Sequence, residues 1–293
     1  MNLALFAETN LGTYGEYERL VFEGKSYTNL ALHEASLRFA RALIDLGLSA
    51  GDKVVVMMQN GPEVLIAYPA IWRAGMTVIP VLFLLEAHEL EFILVSSGAK
   101  AVVTSPSVYP KVVEATRKLE AKPFVILADE GPQAPDDCHR FTELVARSPA
   151  LTHIVDRSGD ELATILYTSG TTGRPKGVMQ THANLRANAM NSYITAAQRE
   201  PRETNLLALP LAHSFGLSVL MTGYLFGTRS ILMRCYCRRQ CRPNEPHRKA
   251  STSLASAWNW GISTTWRCLM RNRPTNRPCS AWCRRRPPGT PIP

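Results

Sequence analysis

The first 234 residues of this sequence predict an α/β fold on a mainly parallel sheet, and three observations carry that expectation. Short β-branched runs without polar alternation, such as Lys53-Val54-Val55-Val56-Met57-Met58, suit strands buried on both faces. Helical patterns lie between those runs, and Gly or Asn-Gly-Pro punctuation divides one from the next. Strands alternating with helices imply βαβ units and right-handed crossovers.

Element by element, Tyr27-Thr28 precedes a helix that puts Leu32, Ser36, Phe39, Ala40, Leu43 and Ile44 on one face and stops at Gly47. Gly51-Asp52 turns into the strand at 53–58, and Asn60-Gly61-Pro62 opens a helix over 62–74 closed by Gly75. Thr77-Val78-Ile79-Pro80-Val81 is the next strand. Residues 86–97 read as a helix, 100–104 as a strand, 106–120 as a helix and 123–128 as a strand. The Asp/Gly/Pro-rich stretch 129–138 reads as a surface loop. Leu162–Thr168 is a buried strand, Val178–Thr181 a second apolar strand, and a helix starts at about His182. The pattern continues through Leu206–Pro210 and 217–233 and then stops, with no internal repeat along the way.

Composition agrees with a globular body and an unusual end. The apolar content of 45% is ordinary for a soluble domain with a sizeable core. The net charge of +9 points to a nucleic-acid or membrane partner only until it is located. Residues 235–293 hold 12 of the 33 Lys and Arg and one of the 24 acidic residues, Glu245, leaving 21 basic and 23 acidic residues in 1–234. Six of the seven Cys lie in the same tail; a lone Cys138 in the body argues for a reducing compartment without disulfides. The first residues lack the basic n-region and apolar length of a signal peptide. The most apolar stretch, 64–85, contains Pro69, Arg73, Gly75 and Pro80 and reads as a buried helix and strand, not an integral membrane segment. A cytoplasmic location is expected.

Chemistry concentrates where the strand ending at Thr168 meets Ser169-Gly170-Thr171-Thr172-Gly173-Arg174-Pro175-Lys176-Gly177. Glycines let backbone N–H groups approach an anion closely. Thr168, Ser169, Thr171 and Thr172 add O–H donors, and Lys176 adds a mobile positive charge. Together they make a cradle for polyphosphate. The loop differs from a Walker A motif: two residues, not four, separate Gly170 from Gly173, and Gly177 rather than Ser or Thr follows Lys176. An ordinary Gly/Thr hairpin is the plainer alternative, but so many matched positions in this order favour the cradle.

Tyr-Thr-Ser-Gly-Thr-Thr-Gly-Arg-Pro-Lys-Gly-Val, residues 167–178, resembles the signature loop of the adenylate-forming superfamily, which includes acyl-CoA synthetases, peptide-synthetase adenylation domains and beetle luciferases. The resemblance implies activation of a carboxylate by ATP to an acyl-adenylate and pyrophosphate, followed in most members by transfer to a thiol. It implies that Thr168, Ser169, Gly170, Thr171, Thr172, Gly173 and Lys176 embrace the β- and γ-phosphates, that Thr172 lies by Mg²⁺, and that Lys176 is catalytic through charge stabilisation. Leu209-Pro210-Leu211-Ala212-His213-Ser214-Phe215-Gly216 matches a second segment, which puts a catalytic His213 near the acid. His182 also recurs in the family; a structural role at a helix start is expected for it. A fatty acyl-CoA synthetase is preferred, with ATP, fatty acid and coenzyme A as partners. The alternatives are an amino-acid or aryl-acid adenylation domain and, from another class, a non-catalytic nucleic-acid-binding protein using the basic tail.

The expected architecture is the front part, 1–234, of that family's large domain, with stacked mainly parallel sheets and flanking helices. Residues 235–293 contain no candidate for the family's aromatic-Gly-x-Thr-Glu segment, ribose-binding Asp, hinge or C-terminal lysine. The fragment is therefore expected to be inactive alone. Within the tail, Cys235, Cys237 and Cys241 lack the paired spacing of a zinc site, and Arg284-Arg285-Arg286 with nearby Trp could form a nucleic-acid arm. The favoured reading is out-of-frame translation of a GC-rich gene into a disordered tail: codons for Trp282–Pro288, read one base later, can encode Gly-Val-Gly-Gly-Ala-Pro-Leu, and the family carries a Gly-Gly-x-Pro-Leu segment at about that distance.

Overall fold

A computed structural model describes residues 1–128, 135, 137–168, 175–195 and 204–234 of the chain. The expected surface loop at 129–138 falls largely outside them, as does the whole of 235–293.

Among the described residues the order is α1 (Leu5–Tyr14), β1 (Glu18–Phe22), β2 (Lys25–Thr28), α2 (Asn29–Asp45), β3 (Lys53–Met57), α3 (Pro62–Arg73), β4 (Thr77–Pro80), α4 (Ala87–Ser97), β5 (Ala101–Thr104) and α5 (Tyr109–Thr116). There follow β6 (Phe124–Leu127), β7 (Cys138–Arg140), α6 (Phe141–Arg147), β8 (Leu162–Thr168), β9 (Lys176–Thr181), α7 (His182–Thr195), β10 (Thr204–Leu207), α8 (Ser214–Phe226) and β11 (Arg229–Leu232). The helix starts follow local chemistry. Thr28 caps α2 by accepting the Ala31 N–H at 3.1 Å, Pro62 fills the first turn of α3 where no N–H is needed, and Glu86 with Glu89 forms a capping box on α4.

A seven-stranded sheet runs in the order β7-β6-β5-β3-β4-β8-β9. All its pairings are parallel except β8–β9. The two faces of β3 explain its unbroken Val run. Val54 and Val56 pack with Phe39 and Leu43 of α2 and with Leu65, Tyr68 and Ile71 of α3, whereas Val55 and Met57 pack with Leu90 and Ile93 of α4 and Val112 of α5. A strand covered on both sides has no polar face to alternate with. Trp72, fully buried, donates Nε1–H to the Ala163 carbonyl at 3.0 Å and so ties α3 to β8.

A second sheet has the order β10-β11-β1-β2, with β1 parallel to β11 and antiparallel to β2. The β1–β11 pairing brings together strands some 200 residues apart, so local periodicity carries no sign of it.

The expected strands and helices appear with small boundary shifts. The helix expected over 106–120 spans Tyr109–Thr116, with Pro110 in its first turn, where proline is tolerated. Cys138, expected in a loop, starts β7 on the outer edge of the large sheet. The second apolar strand, β9, is present but exposed: as the far edge strand it leaves Val178 47% and Met179 72% accessible.

Candidate active site

The phosphate-cradle motif sits on an antiparallel hairpin. β8 and β9 pair from Leu162↔Thr181 to Thr168↔Lys176, so the first and last expected phosphate contacts face each other across the hairpin mouth. The Thr168 hydroxyl lies 3.5 Å from the Lys176 carbonyl, and both residues are exposed. The expected ligands Ser169, Gly170, Thr171, Thr172 and Gly173 lie outside the described residues.

Two features brace the hairpin just below its mouth. The Tyr167 hydroxyl lies 2.8 Å from that of Ser96 on α4, joining the stem to the helix layer. Its ring packs on Gly177: a Cβ there would stand 2.9 Å from Ile165 Cγ2 and 3.2 Å from Tyr167 Cζ, so this glycine is required by close approach. The base of the hairpin is anchored more firmly. The Thr181 hydroxyl accepts the Asn184 N–H at 3.1 Å and Asn184 Oδ1 accepts the Thr181 N–H at 3.0 Å, a reciprocal cap that starts α7. His182 is completely buried, and its Nδ1 accepts the Leu3 N–H at 3.2 Å. Burial, helped by the nearby Arg157 and N-terminal charges, pushes its pKa down to about 4. A neutral imidazole bonded to backbone fits the structural role expected of it. Its neighbour in this knot, Asn2, donates Nδ2–H to the Trp72 carbonyl at 2.6 Å and the Val155 carbonyl at 3.1 Å.

His213 follows β10 and caps α8. Its backbone is extended, at φ −90° and ψ 149°, and its Nδ1 accepts the Phe215 N–H at 3.2 Å. That bond assigns the neutral tautomer with the proton on Nε2. Partial burial lowers its pKa. The His213 N–H donates to the Pro210 carbonyl at 3.0 Å, closing a turn over 210–213. A Cβ on Gly216 would come 2.1 Å from that same carbonyl, so only glycine permits the turn to lie on the first turn of α8. Lys176 thus lies on a strand of the seven-stranded sheet, whereas His213 lies between β10 of the four-stranded sheet and α8. They are linked through the helices that follow each, since α7 and α8 pack together and Asn188 Nδ2 donates to Ser218 Oγ at 3.2 Å.

The sequence by itself assigns no site role to Asn2, Asn60, Ser96 or Tyr167. Each acts through a partner at least 70 residues away, a distance that periodicity cannot span. Among the described residues no group of three or more His, Cys, Asp or Glu could hold a metal ion.

The sequence pattern of a family described as AMP-binding enzyme matches residues 7–274. The chain belongs to that family. The match extends beyond residue 234, where periodicity ends, into 235–274. The crotonobetaine/carnitine–CoA ligase of Salmonella typhimurium is 31% identical over 247 residues, which are 81% of this chain and 47% of that enzyme. A Mycobacterium tuberculosis fatty acyl CoA synthetase superposes with a TM-score of 0.70 at 25% identity, over 80% of this chain and 45% of the other. A benzoate CoA ligase from Burkholderia xenovorans superposes with a TM-score of 0.71 at 24% identity, again over 80% and 45%. The chain therefore spans about half the length of the curated relatives it matches. Its sheets and flanking helices are those of the N-terminal part of adenylate-forming enzymes.

Proposed function

We propose that this chain carries the pyrophosphate-gripping and acid-side portion of an AMP-forming fatty acid–CoA ligase, which joins a fatty acid to coenzyme A at the expense of ATP. The observation that carries the reading is the β8–β9 register, which sets Thr168 opposite Lys176 at the mouth of a hairpin bearing the Ser-Gly-Thr-Thr-Gly-Arg-Pro loop. Hydroxyls of Thr168, Ser169, Thr171 and Thr172, with the N–H groups of Gly170 and Gly173, would hold the β- and γ-phosphates. The Lys176 ammonium would offset the charge that builds on departing pyrophosphate. Mg²⁺ would supply further charge neutralisation, with Thr172 beside it. His213, neutral and carrying its proton on Nε2, would present that N–H on the acid side of the site.

The partners in this reading are small molecules. Residues 1–234 are slightly acidic in sum, which supports no role in gripping nucleic acid. No helix among the described residues is long and apolar enough to cross a membrane. A single Cys in those residues supports a reducing, cytoplasmic setting. The tail from Cys235 is read as out-of-frame sequence, a point that the nucleotide sequence across codon 234 decides.

The test measures pyrophosphate release and thioester formation with fatty, aryl and carnitine-like acids, using 1–293 and a form joined in frame to the remaining half of a relative. The joined form is expected to turn over with fatty acids and to lose adenylation with Lys176→Ala; 1–293 is expected to form no acyl-CoA. Unchanged adenylation after Lys176→Ala sinks the phosphate-cradle role, and turnover confined to aryl or carnitine-like acids sinks the fatty-acid assignment.

A further inference from the structure

Just beyond the carboxyl end of β3 lies Asn60, 4% exposed. Its side-chain Nδ2 donates to the Leu209 carbonyl at 2.9 Å and to the Met233 carbonyl at 3.1 Å, and its Oδ1 accepts the Leu211 N–H at 2.9 Å. A primary amide offers two N–H donors and a carbonyl acceptor. Here both donors and the acceptor are used on backbone groups of other segments. No other side chain of this size presents the same three bonds: a carboxylate loses both donors, a hydroxyl loses one donor and the reach, and leucine loses everything.

The location matters as much as the count. Leu209 follows β10 and Met233 follows β11, so a residue just past a strand of the seven-stranded sheet grips the carboxyl ends of two strands of the four-stranded sheet. β3 is also where the large sheet changes direction, with β4 paired on one side and β5 on the other. The crevice outside the carboxyl ends of strands at such a switch point is where open α/β sheets take ligands. Leu211, whose N–H the amide holds, lies inside the 210–213 turn closed by the His213 N–H. The Tyr68 hydroxyl approaches the Leu211 carbonyl from α3 at 3.5 Å, and Gly216 closes on Pro210 from the other side.

We propose that Asn60 is a positioning residue for the acid side of the site: its amide sets the 210–213 turn, and with it the His213 imidazole, against the switch-point end of the sheet that carries the phosphate hairpin. The functional half of this inference rests on the reading of His213 given above. The positioning half stands on the three hydrogen bonds alone.

The experiment uses isotope-labelled 1–293 and its Asn60→Leu and Asn60→Ser variants. Loss of a buried hydrogen bond of this kind should speed exchange of the Leu211 amide by about tenfold or more. The imidazole ¹⁵N signals of His213 should move from the Nε2–H tautomer toward a mixture, while amide protection in β3 and β4 changes by less than about twofold. An unchanged Leu211 amide and unchanged His213 signals in a folded variant overturn the proposal. So does an even loss of protection across both sheets, or failure of both variants to fold, since either marks a residue that only stabilises the domain. A non-hydrolysable acyl-adenylate mimic added to the same samples separates the two halves: no binding to the unmodified chain counts against the acid-site reading, while the exchange and imidazole data still decide Asn60.

Discussion

β3 and β9 belong to one sheet and share almost nothing else. β3 has neighbours on both edges and helices on both faces, and Val54, Val55, Val56 and Met57 are all buried. Among the described residues β9 has one strand neighbour, and four of its six residues, Lys176 through Met179, are exposed. The contrast separates two kinds of importance. The centre supplies most of the apolar burial that holds the domain together. The hairpin end contributes little to that burial, yet in the proposed reading it carries the groups that would grip a polyphosphate, which must be reached from solvent. Between the two lies the anchored base of the hairpin, with His182 completely buried and the Thr181–Asn184 cap starting α7.

The largest effect should come from the centre. Trp72→Ala removes a fully buried indole and its bond to the Ala163 carbonyl, and it should cost about 3–5 kcal/mol of stability in chemical denaturation. A cost below about 1 kcal/mol would mean that the centre is not the stable half. Next comes the hairpin base. The unfolded chain takes up a proton at an ordinary histidine near 6.5, whereas native His182 stays neutral down to about 4. Between those values the unfolded state binds more protons, so stability is full above 6.5 and falls with pH by up to roughly 3 kcal/mol. The slope should flatten in His182→Leu relative to the unmodified chain; an equal slope would put the acid sensitivity elsewhere.

At the hairpin mouth the prediction reverses. Lys176→Ala should leave the melting temperature unchanged within error, yet slow adenylation about 10²-fold or more in a chain carrying both halves of the enzyme. A lowered melting temperature with unchanged rate would erase the contrast. Met179→Thr, at 72% exposure on the outer edge, should shift stability by no more than about 0.5 kcal/mol. Removing 235–293 should have the smallest effect of all, leaving thermal unfolding of the rest unaltered. A lower melting temperature for the shortened chain would show native packing by the tail and defeat the out-of-frame reading.

Much of the fold could be read locally. The α2 stripe was complete in sequence: Leu32, Ser36, Phe39, Ala40 and Leu43 are all buried, and Ile44 packs at the margin. The Val run of β3 identified a doubly covered strand. Where reading failed, the cause lay in distance or context. β1 has an ordinary strand composition, but its place beside β11 depends on contacts across the whole body. α1 mixes polar and apolar residues, and its Asn10 is buried because Nδ2 reaches the Tyr224 carbonyl at 2.7 Å, a contact no window along the chain contains. β9 reads as apolar in sequence, yet Lys176 through Met179 are exposed at the edge of the sheet.

The candidate site divides along the same line. Residue order alone carries the loop from Thr168 to Lys176, since glycine spacing, hydroxyls and one lysine are local chemistry and the strands that flank it are written beside it. The His213 segment is equally local, down to the glycine that its turn requires. What holds these pieces in relation to each other is not local. Tyr167 finds Ser96, His182 finds Leu3, and Asn60 grips Leu209, Leu211 and Met233, each through a hydrogen bond whose partners meet only after the sheets have formed. Backbone groups buried at strand ends must find partners, and which side chain reaches them is decided by how two sheets come together, a geometry that no run of residues contains.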